Sequence, residues 1–255
     1  MHWFGKMNKT GKIAVFFLGR NVFFCRFGNN NRMKGNILQQ LASITLLGGG
    51  RVNHSILRES LEFAPRLVAV DGAAGTAVSL DLMPEAVVGD LDSLTPEVRA
   101  VFDPACVVET PDQNRTDFDK ALQWAVEQGQ APLVLGVGFM GGRLDHELAC
   151  YNALVRSTAP CVLLGEEDLC FHLADNLKLA LPLGARLSLF PMAEVTGNCT
   201  GLRWPVDGLT LSPWGRVGTS NEVAEGQLTL SFDRPGMLVI LPRAHLGAVI
   251  EALLG

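Results

Sequence analysis

Residues 67–94 read LVAVDGAAGTAVSLDLMPEAVVGDLDSL, and the fold is decided there. Leu67–Val70 is a short, β-rich apolar run that stops at Asp71-Gly72. A helix-length segment follows, and a second apolar run, Ala86–Val88, stops at Gly89-Asp90. Short buried strands that alternate with helices are the units of a parallel sheet. The unit recurs in both directions along the chain. Upstream, Ser43–Leu47 runs into Gly48-Gly49-Gly50; downstream, Leu133–Leu135 stops at Gly136 and Cys161–Leu164 at Gly165-Glu166. The clearest helix spans 117–128, where Phe118, Ala121, Leu122, Ala125 and Val126 fall on one face. Thr116 before it, with Asp119 three residues on, resembles a capping box. In such sheets the ligand lies beyond the carboxyl ends of the strands, where this sequence puts its glycines and acids.

After about residue 175 the pattern changes. Gly184–Phe190, Gly208–Leu211, Gln227–Phe232 and Met237–Leu241 are strand-like runs separated by Gly, Pro, Asn and Asp, with little helix until Ala244–Leu254. The expected architecture is α/β: a Rossmann-like parallel sheet with helices on both faces over residues 33–175, then a small all-β sandwich over residues 176–255.

With 255 residues, 48% of them hydrophobic and 18% charged, the chain is too apolar to be disordered, and no apolar run reaches the ~18–20 residues of a membrane span. Six cysteines (25, 106, 150, 161, 170 and 199) lie scattered without a C-x-x-C pair, which reads as buried thiols in a reducing compartment, the cytoplasm. The net charge of −5 hides a division. Residues 1–58 carry nine Lys/Arg and no acid, leaving 12 basic against 26 acidic side chains in the rest. A body that acidic repels nucleic acid, and no membrane partner is expected; an anionic substrate would need a cation between. Residues 1–32 read as a basic extension, disordered or artefactual, with an organelle presequence as the alternative.

The densest chemistry is acidic. Asp71 ends one strand and Asp90-Leu91-Asp92-Ser93 the next, with Asp112 and Asp117 about the start of the following helix. Asp-x-Asp at a strand end points two carboxylates into one crevice, where their repulsion calls for a hard cation such as Mg²⁺. Any one of these acids alone would be a turn residue or N-cap. A second cluster is Gly136-Val-Gly-Phe-Met-Gly-Gly-Arg143-Leu-Asp145-His146, whose Gly136, Gly138 and Gly141 satisfy the dinucleotide fingerprint G-x-G-x-x-G, with Glu166 ending the next strand. Against a nicotinamide cofactor, the motif follows at least the fourth strand, and it delivers Arg143, Asp145 and His146 into a first helical turn suited to phosphoryl chemistry. Other candidates have plainer readings. His146 reads as an ordinary helix residue, Lys120 with Asp117 as a surface ion pair, Trp204 and Trp214 as packing, and Thr219-Ser220-Asn221 as a turn.

Taken in order, these residues resemble the thiamine pyrophosphokinase (thiamine diphosphokinase) family, in its bacterial form, over roughly residues 42–243. The resemblance rests on Val70-Asp-Gly-Ala-Ala74, Val88-Gly-Asp-Leu-Asp-Ser-Leu94, Pro111-Asp-Gln-Asn-Arg-Thr-Asp-Phe118 with Lys120, and Gly141-Gly-Arg-Leu-Asp-His146. A fifth block is Gly218-Thr-Ser-Asn221, where the family keeps a Ser-Asn near thiamine. Gly75 stands where the family usually has Asn, and nothing in the family accounts for residues 1–32. The resemblance implies transfer of the β,γ-diphosphate of ATP to thiamine, with release of AMP, in a homodimer. Its active sites would lie between the α/β domain of one subunit and the β domain of the other. On that reading Asp71, Asp90, Asp92 and Asp117 hold Mg²⁺–ATP, with Asp145 a further candidate, and Arg143 clamps phosphate through its planar donor fork. Thr116 and Lys120 join the binding set, and Gln113, Ser220 and Asn221 are the thiamine contacts. A diphosphokinase acting on a hydroxymethyl pterin, an NAD-dependent oxidoreductase and a non-catalytic binder are the alternatives.

Overall fold

The computed structural model describes residues 38–174 and 176–255, together with the backbone of three short strands nearer the N-terminus. Those strands, β1 (Lys6–Met7), β2 (Ile13–Leu18) and β3 (Asn21–Arg26), pair with one another antiparallel. The rest of the stretch expected to be a disordered or artefactual extension lies outside the described residues.

Six strands form the parallel part of the fold: β4 (Ile44–Leu47), β5 (Arg66–Val70), β6 (Ala86–Gly89), β7 (Val107–Glu109), β8 (Val134–Val137) and β9 (Cys161–Leu164). They lie in the order β9-β8-β4-β5-β6-β7, every neighbouring pair parallel, so the winding reverses between β4 and β8. Strands β4, β6, β8 and β9 are buried along their whole length, as helices on both faces require. The His54–Phe63 helix shares a core with Leu47, Leu135 and Val137 on one face. On the other face the Asp117–Glu127 and Leu144–Arg156 helices share a core with Ile44, Leu46 and Val68. Thr116 caps the first of these as its sequence suggests, its hydroxyl accepting the Asp119 N–H at 3.3 Å.

The remainder supplies β10 (Asp168–Leu173), β11 (Leu177–Ala180), β12 (Arg186–Pro191), β13 (Val195–Thr200), β14 (Thr210–Leu211), β15 (Gly218–Glu222), β16 (Gln227–Phe232), β17 (Met237–Pro242) and a final helix, Leu246–Leu254. The large sheet runs on past residue 175. Strand β10 turns back antiparallel to β9, and β17, β12 and β15 follow, giving ten strands in the order β15-β12-β17-β10-β9-β8-β4-β5-β6-β7. A second sheet, β11-β16-β13-β14, is antiparallel throughout. Its Leu177, Leu179, Leu228 and Leu230 share one core with Leu187, Leu189, Val239 and Leu241 of the large sheet. The small sheet thus lies on the antiparallel end of the large one. Among the described residues no helix is long and apolar enough to cross a membrane, and Cys106, Cys150, Cys161, Cys170 and Cys199 are free thiols.

Candidate active site

The register of β5 against β6 builds the site. Val70 lies opposite Val88, so Asp71, one residue past β5, sits beside Gly89, and its N–H bonds the Val88 carbonyl at 3.0 Å. A Cβ on Gly89 would come within 2.9 Å of the Asp71 Cβ; only glycine lets the two strand ends approach this closely. Between Asp90 and Asp92, Leu91 takes the left-handed conformation (φ 64°) and is buried in a small cluster with Ala69, Ala74, Val87, Leu94 and Phe102. That anchor fixes the turn that carries both aspartates. Asp71, Asp90 and Asp92 each offer one oxygen within 4.8 Å of the others.

Asp71 is 8% exposed, and its Oδ1 is buried with no hydrogen-bond partner. Burial pushes its carboxyl above the ordinary value, more than hydrogen bonds to Ser93 and Gly72 pull it down; the charges of Asp117 and Asp92 push it further up. An orphaned carboxylate oxygen facing two more carboxylates fits a hard divalent cation. The sign for stability follows. A raised native pKa penalises the ionised form, so the penalty grows as pH rises from the ordinary carboxylate range and is fully present once the raised pKa is passed. At pH 7 without divalent cation, Asp71→Asn is expected to melt above the parent, by ~2–4 °C for each kcal/mol relieved in a chain of this size. The parent gains from an added divalent cation and the variant does not. A variant that melts lower would contradict this account of Asp71.

Lys120 is not the surface ion pair that its spacing suggests. It is 5% exposed, with Nζ 3.1 Å from Asp117 Oδ1 and 3.6 Å from Asp90 Oδ2. Burial lowers its pKa, but the hydrogen bonds and charges of Asp117 and Asp90 outweigh that, and the net shift is upward. Asp117 therefore joins the constellation through Lys120, outside the three carboxylates that could share an ion. A cavity of about 480 Å³ opens beside Asp71 and Asp117 at the carboxyl ends of the strands, where the winding reverses; there Gly50 N–H bonds the Gly138 carbonyl at 3.0 Å. Asp71, Thr116, Asp117, Gly138 and Arg143 line it.

Other expected residues are placed differently. Arg143 is exposed at the cavity and pairs with Asp145 at 2.6 Å, which holds the Asp145 carboxyl below the usual range. Asp145 is thus a partner of Arg143, apart from the three-carboxylate group. Gln113 is exposed on the loop before the Asp117–Glu127 helix, outside the cavity lining. Ser220 and Asn221 lie in strand β15, not in a free turn. Ser220 has φ 58° beside a register shift between β12 and β15. The Asn221 side chain is buried: Oδ1 accepts from the Trp204 and Glu222 N–H groups, and Nδ2 donates to the Trp204 carbonyl. Trp204 and Trp214, expected to pack, are 52% and 77% exposed, and the Arg203 guanidinium stacks 5.0 Å from the Trp204 ring. Sequence reasoning also missed Glu147, whose carboxylate accepts the Gly141 N–H.

Comparison with known proteins agrees with both halves of the chain. The family described as "Thiamin pyrophosphokinase, catalytic domain" matches residues 57–163, and "Thiamin pyrophosphokinase, vitamin B1 binding domain" matches residues 176–237. Thiamine pyrophosphokinase 3 of Oryza sativa subsp. japonica is 30% identical over 180 residues, covering 64% of this chain and 67% of that protein. Thiamine pyrophosphokinase 1 of the same plant is 30% identical over 172 residues, 61% of this chain and 65% of the other, so the match spans about two thirds of each rice protein. The crystal structure of thiamin pyrophosphokinase from Geobacillus thermodenitrificans superposes with a TM-score of 0.63 at 26% identity, covering 78% of this chain and 96% of that one. The pterin and nicotinamide alternatives find no support in these matches. With an acid cluster and cavity on the parallel half and both domain matches in order, the chain belongs to the thiamine pyrophosphokinase family.

Proposed function

We propose that this chain transfers the β,γ-diphosphate of ATP to the hydroxyethyl oxygen of thiamine, giving thiamine diphosphate and AMP. One observation carries the reading: three clustered carboxylates, of which Asp71 has an orphaned buried oxygen and lines a cavity together with a glycine loop and an exposed arginine. The thiamine oxygen attacks the β-phosphorus, the bond from that phosphorus to the oxygen bridging the α-phosphate breaks, and the hydroxyl proton leaves to solvent. Such transfers need positioning and charge neutralisation more than covalent catalysis. Mg²⁺ held by Asp71, Asp90 and Asp92 would supply charge neutralisation on the triphosphate. Arg143 offers its planar fork to phosphate oxygens. Lys120 holds Asp90 and Asp117 in place from below.

Thiamine is assigned to the antiparallel half, residues 176–255, and the ATP and metal site to residues 33–175. The exposed face of Trp214 suits a cationic thiazolium ring, whereas the Trp204 ring already carries the Arg203 guanidinium. From β15 to β5 is seven strand spacings, on the order of 30 Å at ~4.8 Å each, too far for one thiamine to bridge. A homodimer removes the gap by setting the β15 end of one subunit over the cavity of the other. Leu144 and Leu148, 68% and 55% exposed beside that cavity, provide an apolar rim for such a contact. The buried free thiols suit the cytoplasm. The test is incubation with ATP, Mg²⁺ and thiamine. AMP is expected in step with thiamine diphosphate; ADP as the coupled product would place the attack at the γ-phosphorus and overturn the proposal.

A further inference from the structure

The loop from Gly138 to Arg143 is anchored at its start, where the Gly138 carbonyl accepts the Gly50 N–H and Phe139 and Met140 pack on the core, but Gly141 and Gly142 carry no side chain to hold them. Three of its six residues are glycine, and Gly141 stands at φ 77° with open space where a side chain would be, so its conformation rather than crowding requires glycine. The helix that follows, Leu144–Arg156, starts without a side-chain cap, because Arg143 occupies the cap position and turns its guanidinium to Asp145. Backbone N–H groups near a helix start need acceptors from outside the helix ladder.

Glu147 supplies one. Its Oε2 accepts the Gly141 N–H at 3.0 Å, and its Oε1 accepts the Tyr151 hydroxyl at 2.6 Å. Tyr151 is one turn further along the same helix, half-buried and packed on the core beneath the cavity. Burial, then the bond to Glu147, drives its phenol far above the ordinary value, so it stays a donor. A carboxylate in the first turn of this helix is also favoured by the helix dipole. Glu147 lines the cavity and Gly141 does not. The third glycine of the motif thus spends its N–H on the helix, whereas a phosphate cradle would aim it at the ligand.

We infer that Glu147, braced by Tyr151, is a positioning residue for nucleotide binding: it pins the unanchored part of the glycine loop at Gly141, so that Gly142 and Arg143 keep facing the cavity. The inference rests on the ATP reading of that cavity. Loss of the pin frees a glycine-rich segment whose reordering then opposes nucleotide binding.

The test compares the parent with Glu147→Ala, Glu147→Gln and Tyr151→Phe. Binding of a non-hydrolysable ATP analogue with Mg²⁺ is measured by calorimetry, KM for ATP and thiamine separately, and Gly141 amide exchange by NMR. Glu147→Ala is expected to weaken the analogue and raise KM for ATP about tenfold, the size of one charge-assisted hydrogen bond, with KM for thiamine unchanged. Gln keeps an acceptor for Gly141 and should stay within about threefold of the parent; Tyr151→Phe should lose about two- to threefold. Parent-like binding by Glu147→Ala, or an equal loss in Glu147→Gln, would overturn the brace. If the parent itself bound no nucleotide, the ATP reading would fall. Amide exchange would still judge the brace: Gly141 should exchange at least about tenfold faster in the Ala variant and not in the Gln variant.

Discussion

Asp92→Asn is expected to lower turnover on the order of a thousandfold while the chain keeps its fold and melting temperature. The side chain is exposed, accepts the Ser93 hydroxyl at 3.0 Å, and lies within reach of the carboxylates of Asp71 and Asp90. Asparagine preserves shape and an acceptor for Ser93 but removes one of three negative charges that a divalent cation needs. A thousandfold corresponds to about 4 kcal/mol of transition-state stabilisation. Asp90→Asn should be equally inactive but is a less clean experiment. It strips buried Lys120 of one of its two carboxylate partners, so stability should fall with activity. Steady-state kinetics beside circular-dichroism melts separate the two effects. Undiminished turnover in Asp92→Asn would reduce Asp90-Leu91-Asp92 to a turn with no part in catalysis.

That such a test can be designed from Asp-Leu-Asp reflects what kind of information sequence carries. The parallel strands were legible because each is a short apolar run cut off by Gly or Asp, and the acids that end them were legible for the same reason. Strand β7, with only three residues, and β10, whose Asp168–Leu173 follows β9 after a short turn, carry too little period to read. The continuity of the large sheet was not legible either. It depends on β17 pairing with β10 some seventy residues earlier, a contact to which no local pattern points. At the site, the sequence predicts residue types and the structure corrects their partners. Lys120 and Asp117 share a helix face in either description, but only the fold brings Asp90 to the other side of the ammonium and buries all of it. Ser220-Asn221 looks like a turn because its residues favour turns. In β15 the Asn221 amide is used on the Trp204 backbone, and the exposed side chains left to meet a ligand are Ser220 and Trp214, a tryptophan that hydropathy assigns to the core. Glu147 gave no signal, since one acid in a helical first turn is commonplace.

The exposed Trp214 makes the proposed dimer testable. If each site takes its acid cluster from one subunit and its aromatic face from the other, two defects on different chains should complement. Trp214→Ala is the better partner for Asp92→Asn, because Trp214 is 77% exposed at the tip of the turn between β14 and β15, whereas Asn221 is buried and its loss would disturb the Trp204 segment. Trp214→Ala alone should raise KM for thiamine about thirtyfold, the scale of a desolvated cation–π contact, so that it is nearly silent at low thiamine. In a heterodimer of the two variants, one crevice combines intact carboxylates with an intact tryptophan, and the other carries both defects. Co-expression with two different tags, followed by tandem purification, isolates that species. At thiamine well below the parent KM it should reach up to about half the parent activity per dimer, provided the two crevices act independently. Both homodimers would stay far below it. A heterodimer no more active than either parent would mean that one chain holds both substrates. The roughly 30 Å between β15 and the acid cluster would then have to be closed by a bend of the large sheet, not by a second subunit.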